Sequence, residues 1–436
     1  MTNIHMLFTI PILVLLFNVK YVSAQILWDS YQNCVQFERL LDCTDCRDAK
    51  DWGGVQLPYD DIPLDDYFQD YELVVCKGPG MCPDGTVKNV CTWQRYLFFN
   101  CFEGSPVTYR WETNSMPNHC YFSKTEPPLG SETKFEAYSV SGAFNVQVNN
   151  MFAYNLVDPV FYHTKLETQD DYDKQLCKSK WAETTLIDMK TQYEEKVYYS
   201  FEYPIAFSDY SWDSSETTML QLKSSDQVVG MAINGVLIFS ANSINGYDAL
   251  FPSQLINPIT SQSNRITPDF CLGTAESYKT YRYYMFSPCI YDSIAKTYAS
   301  SCTNDRYPLC SQDVRNHSIY YVKSEQKNIN PIGIAKDGRM IYGPYNSYGQ
   351  LWQACDVDIC NGRYFSKGYN YGYVATMFHP YFISCWGPGN KVTFEAKCST
   401  NARKKCTLYT SEAVLHYSFW SITLGLSILA LLQFTY

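Results

Sequence analysis

The sequence is poor in histidine and in charged residues. Only 6 of its 436 residues are histidine, and Asp, Glu, Lys and Arg together make up 18%. The formal net charge is −10 and there is no long basic tract, which argues against nucleic acid as a partner because phosphate binding needs clustered Lys and Arg. The chain also lacks a His-Glu-x-x-His, Gly-x-Ser-x-Gly or phosphate-loop pattern, so we predict no catalytic residue and no cofactor.

Cysteine and tyrosine, by contrast, are abundant, with 18 and 38 residues. So many cysteines, in an even number, are rare in the reducing cytosol and indicate disulfides formed in an oxidising compartment. Hydrophobic residues make up 46% of the chain, which is enough for a sizeable core, and the high tyrosine content favours β-structure. These counts predict an extracellular, mainly β protein held together by disulfides.

The N-terminus has the pattern of a signal peptide. An apolar run over residues 6–17 is followed by Val22-Ser23-Ala24, which places small or compact residues at the positions that a signal peptidase reads. We therefore predict that residues 1–24 form a signal peptide that directs the chain into the secretory pathway. The alternative is an uncleaved anchor, although the apolar run is too short to span a bilayer comfortably.

The C-terminus predicts attachment to a membrane. Residues 413–432 contain no Asp, Glu, Lys or Arg and are long enough to cross a bilayer. A single-pass helix is normally followed by cytoplasmic Lys or Arg, but the four residues after this run include neither. The pattern favours a glycosylphosphatidylinositol (GPI) signal over a C-terminal transmembrane helix, and either would hold the protein at the cell surface. We assign residues 401–436 to a spacer and a hydrophobic anchor segment.

Three residues are candidates for GPI attachment, namely Ser399, Asn401 and Ser411. The number of cysteines bears on this choice. Cleavage near Asn401 would remove Cys406 and leave an odd number of cysteines, whereas cleavage near Ser411 would keep all 18 but shorten the spacer. From the sequence, all three positions stay open.

The body of the chain divides at a segment that contains proline and glycine. Residues 25–126 hold eight cysteines, which predicts a small module stabilised by disulfides rather than by a core. Residues 127–131 have the composition of a linker, and ten cysteines follow it. We assign residues 132–400 to a β domain. The even count on each side suits two separately bridged domains.

The β domain contains two predicted hairpins. Asn234-Gly235 and Asp337-Gly338 each separate two apolar runs. Such pairs favour a type I′ turn, because that turn requires positive φ at both of its central residues. The apolar runs around the two turns also match each other position by position, which indicates two copies of one unit.

Two further blocks repeat in the same order after each hairpin. The matched pairs are Asp269–Gly273 with Asp358–Gly362, and Tyr281–Tyr284 with Tyr371–Val374, each followed by a later cysteine, Cys289 or Cys385. This order predicts an internal duplication with equivalent disulfides, Cys271–Cys289 and Cys360–Cys385. The fold class that follows is an internally duplicated antiparallel β domain, sandwich or barrel-like, preceded by a small disulfide-rich module.

The repeated blocks resemble the YHYH domain, a family named for a Tyr-His-Tyr-His motif. The resemblance is carried by Gly230–Phe239, Asp269–Gly273, Tyr281–Cys289, Pro331–Tyr345, Asp358–Gly362 and Tyr371–Gly387. It does not extend to the N-terminal cysteine-rich module. It implies a fold and a location rather than an activity.

The histidines of the family motif are replaced in this chain. The two motif positions hold Tyr281, Arg282, Tyr283 and Tyr284 in the first block and Tyr371, Gly372, Tyr373 and Val374 in the second. Alternating histidines would share one face of a strand and suit a metal or proton-transfer site. Arginine, glycine and valine cannot ligate a metal in that way, so we expect the histidine chemistry to be absent.

Some residues still have a functional interpretation beside a structural one. Asp269 and Asp358 are candidates for a metal site, and the alternative is that each caps a turn beside its cysteine. The motif tyrosines are candidates for an aromatic recognition face, and the alternative is that they pack the sheet. Asn316 begins an N-glycosylation sequon, which predicts a surface loop there.

Taken together, these features predict a non-enzymatic extracellular protein at the cell surface with a binding, adhesion or coat role. Its ligand would be an extracellular protein or a glycan, and its contact with the membrane would be through the C-terminal anchor. The alternative is a secreted metal-dependent enzyme, or a metal-binding protein, that uses the remaining carboxylates Asp269 and Asp358.

Overall fold

The computed structural model describes most of the repeated region and part of the chain before it. The described residues are 30–41, 72–81, 87–95, 97–105, 107–121, 138–144, 165–177, 228–240, 242–243, 245–259, 261–275, 280–291, 302, 308–366, 369–391 and 393–404. The predicted signal peptide, the linker and the hydrophobic anchor lie outside them. Within the described part of the chain, no helix combines the length and the apolar character needed to cross a bilayer.

Strands outnumber helices among the described residues, so the prediction of a mainly β protein is confirmed. The strands are β1 (Glu72–Met81), β2 (Val87–Arg95), β3 (Leu97–Phe102), β4 (Thr108–Thr113), β5 (Tyr138–Ala143), β6 (Val228–Ala232), β7 (Leu237–Phe239), β8 (Gly273–Thr274), β9 (Arg282–Tyr283), β10 (Pro331–Ala335), β11 (Met340–Tyr342), β12 (Gly362–Ser366) and β13 (Tyr369–Val374). The α-helices are α1 (Tyr31–Glu38), α2 (Gln169–Leu176), α3 (Pro308–Gln312) and α4 (Val314–Tyr320).

The largest sheet has eight strands in the order β12-β13-β11-β10-β6-β7-β9-β8. Its centre is the antiparallel pair β6 and β10, in which Met231 lies opposite Ile334. On each side of this pair come the antiparallel partner strand of a hairpin, then a parallel strand, then an antiparallel edge strand. The sheet is therefore mixed rather than antiparallel, and it is open rather than closed into a barrel.

The two parallel contacts follow from the lengths of the connections. A short hairpin can join only antiparallel neighbours, whereas parallel neighbours need a long crossover. β9 reaches β7, and β13 reaches β11, only after connections that contain the Asp-x-Cys blocks and the edge strands. The expectation of a wholly antiparallel domain is wrong at these two contacts because it considered the hairpins alone.

Both hairpin turns differ from the predicted type I′ geometry. Only the glycines have positive φ, 78° at Gly235 and 81° at Gly338. The amide of Gly235 donates to the carbonyl of Ala232, and the amide of Gly338 donates to that of Ala335. This pattern is a type I turn followed by a left-handed residue, the three-residue hairpin with a bulge at glycine. Asparagine and aspartate then occupy right-handed positions.

The N-terminal part of the chain builds two small sheets that pack beside the large one. β1 pairs with β2, and β3, β4 and β5 form an antiparallel sheet. Disulfides Cys34–Cys101 and Cys76–Cys120 brace this region. Aromatic side chains also fill it, and the rings of Phe99 and Tyr109 are stacked. Because β5 follows residues 127–131, the three-stranded sheet extends across the boundary that composition suggests.

Helix α2 and the last described residues are joined by the disulfide Cys177–Cys398. Thr168 caps the helix by accepting a hydrogen bond from the amide of Asp171, which satisfies one of the amides that a helix start leaves open. Tyr172 is the buried anchor of the helix. The remaining described disulfides include Cys302–Cys310 and the two pairs that the repeated blocks predict, Cys271–Cys289 and Cys360–Cys385.

Candidate functional site

Two Asp-x-Cys-x-Gly turns lie at opposite edges of the large sheet. Asp269 begins the turn before β8, and Asp358 begins the turn before β12. In each turn the residue before the glycine, Leu272 or Asn361, has a φ of 61°, and aspartate Oδ1 accepts a hydrogen bond from the glycine amide. An aspartate that accepts from the backbone ahead of it is common in turns. The repeated block therefore forms the same turn twice.

The other oxygen of each carboxylate binds the first tyrosine of the motif. Tyr281 donates to Asp269 Oδ2 and Tyr371 donates to Asp358 Oδ2, both over 2.7 Å. Burial, reinforced by the adjacent carboxylate, raises the pKa of each tyrosine well above its ordinary value. Both hydroxyls therefore keep their protons and remain donors. In each half, the first motif tyrosine ties the aspartate turn to its neighbouring strand.

Asp358 has hydrogen-bond donors on both of its oxygens. Its Oδ1 accepts from the amides of Cys360 and Gly362, and its Oδ2 accepts from Tyr371 and from the amide of Gly389. Burial raises the pKa of Asp358, and these hydrogen bonds act in the opposite direction. A carboxylate with four donors around it has little capacity left for a metal ion.

The second motif tyrosines bind the side chains of the hairpin turns. Asn234 Nδ2 donates to the Tyr283 hydroxyl over 3.0 Å. At the equivalent place, Tyr373 donates to Asp337 Oδ2 over 2.6 Å, and its hydroxyl accepts from the amide of Gly387. Asn234 and Asp337 make these hydrogen bonds from the right-handed position of each hairpin turn. Each half therefore contains the same two links, from aspartate to the first tyrosine and from the turn to the second.

A buried ion pair occurs in the second half. Arg339 Nη1 donates to Asp337 Oδ2 over 2.7 Å and to the Gly387 carbonyl over 2.9 Å. Its guanidinium carbon lies 5.4 Å from the ring centroid of Tyr371. Burial lowers the pKa of Arg339, but Asp337 and the nearby tyrosines outweigh this effect and raise the pKa overall. The position that matches Arg339 in the first hairpin is Val236.

The first half receives a histidine from the N-terminal part of the chain. His119 Nε2 lies 3.0 Å from the Tyr281 hydroxyl, and its ring is stacked on Tyr283 at 6.3 Å between centroids. Because Tyr281 donates its proton to Asp269, its oxygen faces His119 as an acceptor, and the other ring nitrogen of His119, Nδ1, lies 3.0 Å from Asn118 Oδ1. The result is a buried chain of three side chains, His119, Tyr281 and Asp269.

Arg282, beside the buried tyrosines of the first half, is fully buried. Arg282 donates to Tyr284 Oη and to the Thr280 carbonyl, and its guanidinium lies 5.0 Å from the Phe239 ring centroid. In the second half the matching position is Gly372, where an added Cβ would lie 2.7 Å from the ring of Tyr342. Any side chain at position 372 would therefore meet the ring of Tyr342, whereas position 282 accommodates the whole arginine side chain.

The motif tyrosines do not form a recognition surface. All five are at most 1% exposed, namely Tyr281, Tyr283, Tyr284, Tyr371 and Tyr373, and Val374 is buried as well. These five tyrosines therefore pack inside the protein, and the hypothesis that they form an aromatic recognition face is wrong. Asn316 is exposed, but it lies on helix α4 rather than on a loop.

Asp269 and Asp358 do not come together. They belong to turns at the two edges of an eight-stranded open sheet, so the whole width of the sheet lies between them. Among the described residues, one group of three side chains has the spacing of metal ligands: His119, Cys271 and Cys289, with ligand atoms within 4.8 Å of one another. The two sulfurs are joined to each other in a disulfide, so neither is a thiolate that would bind a metal.

The sequence did not predict the contact between His119 and Tyr281. His119 lies 162 residues before Tyr281, and no local pattern connects the two positions.

Comparison with known families, characterised proteins and solved structures finds no match to this chain. The geometry described above is therefore the basis for any functional assignment.

Proposed function

We propose that this chain is a non-enzymatic extracellular protein, held at the cell surface, with a role in binding, adhesion or a surface coat. The observation that carries the proposal is the use of the repeated polar residues. Both aspartates and both turn residues hydrogen-bond to the tyrosines inside the fold, namely Tyr281, Tyr283, Tyr371 and Tyr373. Side chains arranged in this way stabilise a scaffold rather than contact a substrate.

We infer further that the two halves of the large sheet arose by duplication of a unit similar to the YHYH domain. Three observations support this inference. The strand order is the same when read outward from the β6–β10 pair in either direction. The two aspartate–tyrosine bonds are equivalent, and so are the disulfides that follow them. A layered, sandwich-like packing is part of this proposal, since Tyr109 of β4 donates to the Lys336 carbonyl in the second hairpin turn.

An extracellular location is supported by the disulfides and by the sequon. Free thiols are absent from the described residues, and disulfides of this number form in the secretory pathway. Asn316 is exposed and accessible to a glycan. The signal peptide and the C-terminal anchor complete the proposal, with an extracellular protein or a glycan as ligand.

Surface labelling of intact cells tests the location. A membrane-impermeant amine-reactive biotin reagent should label the full chain, and glycosidase treatment should lower its apparent mass. Asn316→Gln should abolish that mass change, whereas Asn328→Gln, at an exposed asparagine outside any sequon, should not. A chain that stays inside the cell and carries no glycan would contradict the proposal.

The metal-dependent alternative has its own test. Metal content should be measured for the purified secreted protein and for the double variant Asp269→Asn, Asp358→Asn. We expect no stoichiometric metal in either. A stoichiometric ion in the wild type that is lost in the double variant would favour the metal-binding function over the scaffold.

A further inference from the structure

The folded domain continues through two of the three candidate GPI-attachment residues, Ser399 and Asn401. Cys398 is bonded to Cys177, and Ser399 forms a β-bridge with Pro252. The Ser399 hydroxyl donates to Asp248 Oδ2 over 2.6 Å, and Asp248 is completely buried. Ser399 is therefore part of the packed structure and not of a spacer.

Asn401 connects its own segment to two others, helix α4 and residues 377–381. Its side-chain amide donates to the carbonyl of Met377 over 3.0 Å and to the Tyr381 hydroxyl over 3.2 Å. Its Oδ1 accepts from Arg315 Nη1 over 2.8 Å, and its backbone carbonyl accepts from the amide of His379. Every polar group of this side chain has a partner within the fold.

Arg403 extends the packed structure beyond Asn401. It is only 2% exposed, and its Nη2 donates to the Asp358 carbonyl over 2.5 Å and to Asn361 Oδ1 over 3.2 Å. Its guanidinium also lies 5.9 Å from the Phe378 ring centroid. Arg403 thus holds the Asp-x-Cys-x-Gly turn of the second half from outside. A chain that ended before it would lose these contacts.

GPI attachment removes every residue that follows the modified one. In the transamidation, the peptide bond after that residue breaks and its carbonyl carbon forms an amide with the ethanolamine nitrogen of the glycolipid. The amine proton passes to the new N-terminus of the released peptide, so no oxidant or reductant is needed. Attachment at Ser399 or Asn401 would therefore remove Arg403, and the transamidase would first have to unfold the bridges that hold these residues.

We propose that the glycolipid is attached to Ser411, an inference that rests on the anchored form of the proposed function. Ser411 is the one early candidate that follows Arg403 in the sequence. It is followed by Glu412 and Ala413, and an uncharged, mainly apolar run follows from Phe419 onward. Ser411 and Ala413 are small residues on either side of Glu412, and a short spacer then leads into the hydrophobic tail. Attachment at Ser411 also retains Cys406 in the mature chain.

Mass spectrometry of the C-terminal tryptic peptide tests the assignment directly. The full chain is expressed in cells, released with a phosphatidylinositol-specific phospholipase, reduced, alkylated and digested with trypsin. Because Lys405 precedes Cys406, attachment at Ser411 should give a peptide of residues 406–411 that carries the ethanolamine phosphate and the glycan left after release of the lipid. Attachment at Asn401 would instead give residues 398–401, and attachment at Ser399 would give residues 398–399.

The outcomes separate this inference from the proposed function. Phospholipase release with any C-terminal residue other than Ser411 overturns the site but leaves the anchored protein in place. Resistance to release, with a tryptic peptide that runs from Cys406 into the hydrophobic segment, overturns the GPI anchor itself and the site with it. As a full-chain check, Ser411→Leu should lose phospholipase-releasable protein, whereas Thr407→Leu should keep it.

Discussion

The two halves of the large sheet share one set of contacts but complete it with different residues. In the first half, Tyr281 is contacted by His119, and Arg95 donates to the carbonyl of Asn234. Both residues come from the N-terminal part of the chain. In the second half the corresponding region is completed by Arg339 and by the segment around Gly387. The first half therefore receives several polar contacts from the cysteine-rich region. The second half is completed mainly by its own sequence, with Tyr109 of the cysteine-rich region donating to the Lys336 carbonyl.

The cysteine-rich region contacts the β domain through polar side chains. Disulfides brace it internally, but its polar side chains satisfy groups of the β domain. Thr113 donates to the Gly235 carbonyl, and the Ser115 hydroxyl accepts from the amide of Leu237. We expect the first half to lose stability when these contacts are lost. The second half should not respond in the same way.

Breaking the buried ion pair of the second half should have the largest effect. Asp337→Ala leaves Arg339 buried without its carboxylate, which we expect to lower the free energy of unfolding by about 3–5 kcal/mol. Asn234→Ala, at the equivalent neutral position, should cost only about 1–3 kcal/mol. Denaturant unfolding of the two variants measures the difference, and equal costs would contradict the comparison.

A graft between the halves sharpens this result. The double variant Asp337→Asn, Arg339→Val gives the second turn the residues of the first, Asn234 and Val236. Since no charge is then left unpaired, we expect it to recover most of the stability that Asp337→Ala loses. A double variant no more stable than Asp337→Ala would show that the ion pair is not the reason for the loss.

Substitution of the glycines in the two aspartate turns should have the next largest effect on stability. A Cβ at Gly362 would lie 1.8 Å from the Tyr371 hydroxyl oxygen, and a Cβ at Gly273 would lie 2.3 Å from that of Tyr281. Alanine at either position forces the tyrosine away from its aspartate, which we expect to cost about 1–3 kcal/mol or somewhat more. Thermal unfolding should show the larger loss for Gly362→Ala, and an unchanged melting temperature for either variant would contradict the packing.

The next effect is smaller: we expect His119 to be energetically coupled to the first half of the sheet but not to the second. In a double-mutant cycle, His119→Ala and Tyr281→Phe should be coupled by about 0.5–3 kcal/mol because the two side chains share a hydrogen bond. His119→Ala and Tyr371→Phe should be additive within about 0.5 kcal/mol. Coupling of similar size in both cycles would mean that His119 acts on the whole sheet rather than on its first half.

The smallest expected effect is a loss of stability on acidification. His317 Nε2 donates to the Phe270 carbonyl of the first half over 2.7 Å, and His379 Nε2 lies 2.9 Å from Asn242 Oδ1. Burial is the main cause of a lowered pKa at both histidines. A depressed pKa means that the neutral form is favoured on folding. The contribution of each neutral histidine to the free energy of unfolding is complete above about pH 6.5. It is lost as the pH falls toward and through the pKa that the histidine has in the folded state.

This pH dependence can be assigned residue by residue. Denaturant midpoints should be measured between pH 7.5 and pH 5 for the wild type, His317→Gln and His379→Gln. We expect each variant to have a shallower loss of stability below about pH 6.5 than the wild type. Identical profiles for all three proteins would show that other groups control the acid response.

Local patterns in the sequence predicted the parts of the fold that local chemistry decides. The two apolar runs around each Asn-Gly or Asp-Gly pair predicted the hairpins β6–β7 and β10–β11. The detailed turn type was wrong because the asparagine and aspartate side chains bind Tyr283 and Tyr373. Those partners come from strands that are distant in the chain, so the turn residues alone did not reveal them.

The sequence by itself determined the mainly β character, the two hairpins, the repeated aspartate turns and the cysteine pairs that close them. Each depends on residues that are neighbours in the chain or on a pattern that repeats. The tertiary structure decided that Tyr281 contacts His119, that the motif tyrosines are buried, and that the packed domain extends through Ser399 and Asn401 to Arg403. These features arise because packing brings together segments separated by many tens of residues, and no local pattern records such a contact.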